Sequence, residues 1–223
     1  MTQNLNSDLI KRAVMDTTGM DWQASPSPTV WRKRLDLVGG AESGRVTSVV
    51  RYDPNSTFPT HEHPEGEEIF VLEGIFSDEY GDYPAGSYLL NPEGFRHAPF
   101  SKDGCVIFVK LRQYGGASRE QVAINTKDIP WSSGPIPGVE LKPLYAHPDH
   151  PERMQIERWN PGSVWERHAH SSGKEILVLE GVLEDEYGYY PVGTWLRNPP
   201  GIAHTSFSQE GCVLYVKTGG LPF

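Results

Sequence analysis

The residues best suited to chemistry in this 223-residue chain are its histidines. Of eight, six fall into two sets with matching spacing: His61, His63 and His97, then His168, His170 and His204. Alternate residues of a β-strand project to the same face, so His61 and His63 are expected side by side, as are His168 and His170. Two imidazoles so placed, joined by a third from a distant strand and by a carboxylate, make a shell for a transition metal. In the first set the carboxylate is offered by Glu67 or its neighbour Glu68. The turn at residues 91–96 would swing His97 back towards the pair. His147 and His150 occur once, among prolines, and read as solvated loop residues. Cys105 and Cys212 each follow the third histidine by eight residues, inside an apolar run. They read as small buried hydrophobes, with redox sensing as the alternative.

The elements that must position these groups repeat as well. Residues 61–110 and 168–217 align without a gap at an offset of 107, with 28 identities in 50 positions. A period that long exceeds any solenoid unit, so each copy is a domain. Within each copy, short runs rich in β-branched and aromatic residues alternate with turn compositions. That pattern predicts many short antiparallel strands and one small β-barrel per copy. Residues 21–115 and 131–223 are the expected barrels, and residues 116–130 the linker between them. The N-terminal segment, residues 1–20, offers one short helix over residues 5–15 with Asn6 or Ser7 as its cap. The Asp-Glu-Tyr-Gly segments at 78–81 and 185–188 read as turn decoration, and Glu73 and Glu180 as turn closers. Tyr88 and Trp195 align and suit either a barrel mouth or plain core.

Composition narrows the class. A hydrophobic fraction of 37% with 11% aromatics supports a real core. A net charge of −9 opposes nucleic-acid binding, and no apolar run is long enough to span a membrane. The N-terminus lacks a signal-peptide pattern, and two cysteines cannot staple a secreted scaffold, so the expected compartment is the cytoplasm.

These motifs resemble the cupin family. Its first motif, G-x5-H-x-H-x3-4-E-x6-G, is matched by His61, His63, Glu67 and Gly74, with Asn55 in place of the leading glycine. Its second, G-x5-P-x-G-x2-H-x3-N, is matched by Gly86, Pro92, Gly94 and His97, and again by Gly193, Pro199, Gly201 and His204. Ser101 and Ser208 replace the terminal asparagine. The chain thus looks like a bicupin, all-β, with two tandem jelly-roll barrels from an internal duplication. More narrowly, it is similar to the ChrR-type cupin of zinc-dependent anti-sigma factors.

The resemblance implies that His61, His63, Glu67 and His97 ligate one divalent metal, zinc first, with iron, manganese or nickel as alternatives. The second copy keeps His168, His170 and His204 but has Lys174 where Glu67 stands, and an ammonium group opposes a metal ion. That site is either a three-histidine site, or borrows Glu175 through a strand shift, or is empty. The ChrR resemblance implies a regulatory sensor of a small ligand or oxidant, with a sigma factor as protein partner. The helical sigma-binding module of that family has no counterpart in the roughly 20 residues before the first barrel. The alternative function is a metal-dependent dioxygenase or hydrolase acting on a small carbonyl compound such as a β-diketone. Oligomeric state is open.

Overall fold

A computed structural model describes residues 4–116 and 118–221; the outermost residues of the expected first and last segments, and Ala117 of the expected linker, lie outside it. Among the described residues there is no α-helix, only one 3-10 turn at Thr126–Asp128. No helix in them is long and apolar enough to cross a membrane.

The chain divides into two compact units, and the division does not follow the repeats. One unit is Met20–Asp128 with the described residues up to Ser7; the other is Asp8–Gly19 with the described residues from Ile129 onward. In the first unit the main antiparallel sheet runs Val122–Asn125, Ser87–Asn91, Glu67–Asp78, Cys105–Leu111, Arg45–Tyr52, Val30–Val38, Gln23–Ala24. The second sheet runs Ala13–Asp16, Thr194–Asn198, Lys174–Asp185, Cys212–Thr218, Arg153–Trp159, Val139–Ala146, Ser132–Ser133, in the same order. A smaller sheet faces each; in the first unit it includes His61–His63 paired with Phe95–His97. One long strand serves both layers of each barrel. Val71 pairs with Ile107 and Glu73 with Val106, so Leu72 bulges out and the strand bends. Gly74 follows with φ 70°, and a Cβ there would fall 2.2 Å from the Gly104 carbonyl oxygen. Gly181 repeats this geometry at φ 67°. Glu73 and Glu180 therefore sit at a bend inside a continuous strand and do not close a turn.

Residues 13–16 form a strand, which corrects the expected helix over residues 5–15. Ala13 and Thr17 are buried while Val14 and Asp16 are exposed, a two-residue alternation with one inward face. The strand adds to the edge at Thr194–Asn198, with Ala13 opposite Arg197 and Asp16 opposite Thr194. Hydrogen bonds to a partner far along the chain outweigh the weak local preference for helix. The expected linker is likewise structured: Val122–Asn125 adds to Ser87–Asn91 in the matching register, with Val122 opposite Leu90. The two additions end alike. Thr17 Oγ1 donates to the Gly193 carbonyl at 2.7 Å, and Thr126 Oγ1 to that of Gly86 at 2.8 Å. Each barrel is therefore completed by a strand from the other repeat.

The strand at 13–16 is pinned by Arg12. Its guanidinium donates to Asn198 Oδ1 at 2.9 Å, to Asp185 Oδ2 at 3.2 Å and to the Tyr190 hydroxyl. The core of each barrel is aliphatic and aromatic, with Ile69, Val71, Phe76 and Leu89 in the first and Ile176, Val178, Leu183 and Leu196 in the second. Tyr88 and Trp195 are fully buried. Cys105 and Cys212 lie in these cores, unpaired, with burial pushing both thiols up to about 11.

Two outcomes follow from this packing. Arg12→Ala leaves the buried Asp185 without its cation, so a loss of about 2–3 kcal/mol is expected, read as a lower urea midpoint at unchanged slope. At pH 8 only about one thiol in a thousand would be thiolate, so neither cysteine should react with a thiol-titrating disulfide in the native protein, and both should react in urea.

Candidate metal centre

The first barrel brings its whole expected set together. His61 and His63 lie on one short strand, and His97 stands directly opposite His61 on the paired strand. The ring centroids of the three lie 4.7 to 5.2 Å apart. His63 Nε2 is 3.0 Å from His97 Nε2, and Glu67 Oε2 is 3.4 and 3.5 Å from those two nitrogens. Of the two acidic neighbours it is Glu67 that faces the histidines; Glu68 points the other way, where it accepts a hydrogen bond from the Tyr114 hydroxyl. His63, Glu67 and His97 are all buried.

Outer partners fix how each ring faces inward. His61 Nδ1 donates to the Pro59 carbonyl at 2.9 Å, and His97 Nδ1 to Asp78 Oδ2 at 3.1 Å, so both present Nε2 lone pairs. Burial lowers the proton affinity of His63, with smaller opposing and reinforcing charges around it. Burial acts the same way on His97, but the Asp78 hydrogen bond and the nearby carboxylates outweigh it and raise its proton affinity. Asp78 would be raised by burial, yet His97 and the Tyr80 amide hold it below the ordinary carboxylate range. Asp78 belongs to the segment expected to be mere turn decoration. Its Oδ1 does close the turn, accepting from Tyr80 and Gly81, while Oδ2 aims the third histidine. Asp185 repeats the role in the second barrel, and that identity within the duplication was the available signal.

Glu67 is held from behind. Asn91 Nδ2 donates to Glu67 Oε2 at 3.0 Å, and Gln121 Nε2 donates to Asn91 Oδ1 at 3.3 Å. Gln121 adjoins the exchanged strand Val122–Asn125, so the carboxylate is positioned by a residue of the other repeat. The departures from the motif are also accounted for. Asn55 has φ 61° and Gly162, its counterpart, φ 80°; asparagine tolerates the left-handed region nearly as glycine does. Ser101 and Ser208 donate to the carbonyls of Ile75 and Val182, both at 2.6 Å. Three imidazoles and one buried carboxylate fit a divalent transition metal.

The second barrel gathers its histidines differently. His168, His170 and His204 form a second group that could hold a metal ion, with ring centroids 4.8 to 5.9 Å apart. His168 Nδ1 donates to the Glu166 carbonyl, and His204 Nδ1 lies 3.6 Å from Asp185 Oδ2. Lys174 pairs with Asn198 in the register that Glu67 makes with Asn91, so there is no strand shift and Glu175 is not borrowed. Instead Lys174 Nζ lies 3.7 Å from Glu157 Oε2, and Glu157 also accepts from Trp159 and Gln155. Val50 and Tyr52 of the first barrel are replaced here by Glu157 and Trp159, and Trp165 replaces Phe58 and stacks on His168 at 4.2 Å. Burial, then the Lys174 charge, pushes His170 down to about 3, which keeps it neutral.

His147 and His150, expected in a solvated loop, lie outside both groups; their rings are 4.9 Å apart and His150 stacks on Tyr145. A cavity of about 230 Å³ opens beside His61, His63 and Glu67, walled mainly by Val50, Tyr52, Phe58 and Val109 and edged by Arg32 and Arg112. Neither arginine's place was legible from motif or spacing.

Two closed antiparallel barrels, each gathering three histidines inside, define a two-barrel cupin protein. The chain belongs to the ChrR cupin-like domain family, which matches residues 10–115 and again residues 119–222. A candidate dioxygenase from Nostoc punctiforme PCC 73102 superimposes with a TM-score of 0.79 at 15% identity, over 99% of this chain and 88% of its own. Protein Ylba from E. coli does so at 0.72 and 14%, over 99% and 96%. Oxalate decarboxylase from Lactobacillus farciminis, in a formate complex, does so at 0.65 and 12%, over 94% and 86%. At such identities the likeness speaks for the fold alone. No curated protein matches by sequence.

If Asn91 positions the carboxylate, Asn91→Ala should weaken divalent-metal binding by about 10- to 100-fold, measured by competition with a chelating dye, while the folded content by circular dichroism stays unchanged.

Proposed function

We propose that His61, His63, Glu67 and His97 bind a divalent metal, and that the first barrel is a metal-dependent dioxygenase or hydrolase for a small carbonyl compound such as a β-diketone. The observation that carries this reading is the cavity beside His61, His63 and Glu67, with an apolar wall facing the donor set. A bound metal would supply Lewis acidity towards a carbonyl oxygen or, as iron, a site for O₂. The chain's own residues do the rest. Asp78 and the Pro59 carbonyl keep the imidazoles of His97 and His61 turned inward. Val50, Tyr52 and Phe58 exclude water from one side of a bound molecule. The second barrel, whose Lys174–Glu157 pair occupies the place of the ligand carboxylate, serves as scaffold.

A second reading is a ChrR-like zinc sensor in the cytoplasm that answers to a small ligand or oxidant and engages a sigma factor. Its support is the family match over both halves of the chain.

Elemental analysis of protein purified without added metal tests the site. About one metal per chain is expected, lost in His97→Ala and kept in His204→Ala; two per chain, halved by each substitution, would refute the scaffold role of the second barrel. Oxygen consumption or hydrolysis by metal-loaded protein over a panel of small carbonyl compounds separates the readings. No turnover, together with capture of a sigma factor, would replace the enzyme by the sensor.

A further inference from the structure

Arg112 stands apart from every other cation near the metal centre. It follows the strand Cys105–Leu111 with φ 60°, a left-handed conformation that a long side chain adopts against steric resistance. Its counterpart in the second copy is Gly219, at φ 72°. The turn therefore demands a residue at ease with positive φ, and the first copy keeps an arginine in spite of that demand. Strain retained at one copy of a duplicated turn points to use of the side chain.

The side chain lines the cavity with His61, His63 and Glu67. It is half-buried, and among the described residues no carboxylate pairs with it. The other charged groups of the wall outside the donor set are held in ion pairs. Arg32 donates to both oxygens of Glu42 at 3.0 and 2.9 Å, and Glu62 accepts from Arg96 at 3.1 Å. One cation thus remains without a carboxylate beside a donor set, in a pocket whose apolar lining includes Tyr52, Phe58 and Val109. A guanidinium left without an anion in such a place is a seat for one, and its planar fork suits a carboxylate.

Resting on the metal-centre reading above, we infer that Arg112 is the substrate-selecting residue of the first barrel, holding the carboxylate of a small oxo acid whose carbonyl oxygen faces His61, His63 and Glu67. The apolar part of the wall suits a short aliphatic body, so the class of ligand is a small carbonyl compound that bears a carboxylate. In the second barrel Gly219 offers no such group, and a Cβ there would fall 2.2 Å from the Pro151 carbonyl oxygen, so that site cannot acquire one by simple substitution.

Calorimetric titration with pyruvate and with its neutral methyl ester tests this on wild type, Arg112→Gly and Arg112→Asn, with metal content measured on the same samples. Both replacements tolerate positive φ, so both should fold, with a Tm equal to or above that of wild type. Wild type should bind pyruvate at least about tenfold more tightly than the ester, and both variants should lose that preference with metal content unchanged. Equal affinity for acid and ester in wild type, or pyruvate affinity unchanged in the variants while metal is retained, would overturn the role of Arg112 alone. Wild-type protein devoid of metal at this site would overturn the underlying reading, and this inference with it.

Discussion

A carboxylate sunk among three imidazoles must be compensated, because burial strips it of water that no apolar wall replaces. The first barrel meets that demand in layers. Glu67 takes a hydrogen bond from Asn91, Asn91 takes one from Gln121, and His97 is braced by Asp78, which is itself braced by backbone amides. Few of these groups could change alone without leaving another unsatisfied. The second barrel meets the same demand by a different route. Its Lys174 lies against Glu157, so that charge pair is internal to the protein, and Asp185 beside His204 is the carboxylate that faces the three histidines. The two barrels share a fold and a register and differ in how one buried charge is balanced.

Much of this was written in the sequence because it depends on short-range periodicity. The spacing of His61 to His63, and its recurrence at His168 and His170, needs only the two-residue alternation of a strand to be read as one face. The division into two β-barrels follows from a duplication visible residue by residue. What escaped depends on dihedral angles or distant pairing. Asp78 lies in a segment rich in turn formers, and it does make a turn; its second oxygen acts across the barrel on a residue 19 positions away. Residues 13–16 have a composition neutral between helix and strand, and their partner edge lies some 180 positions downstream. Arg112 looks like any charged residue after a strand until its positive φ is known.

The asymmetry between copies is concentrated at few positions. Glu67 against Lys174, Val50 against Glu157, Phe58 against Trp165 and Arg112 against Gly219 separate a cavity beside His61, His63 and Glu67 from a set of histidines flanked by an aromatic ring and an ion pair. The barrel frame around them hardly differs, since its bulge, its positive-φ glycines and its serine hydrogen bonds recur.

The exchange of edge strands carries a different kind of consequence. The stretch of sequence that recurs is not the stretch that folds as one body: the repeat that begins before residue 13 gives its first strand away and receives its replacement from residues 122–125. A gene fragment cut cleanly between the repeats would encode two incomplete sheets, each with a bare edge and each carrying the strand that the other lacks. Each half of the sequence thus supplies an edge strand that the other half's sheet needs, so a change confined to one repeat can be felt in the barrel built mostly from the other.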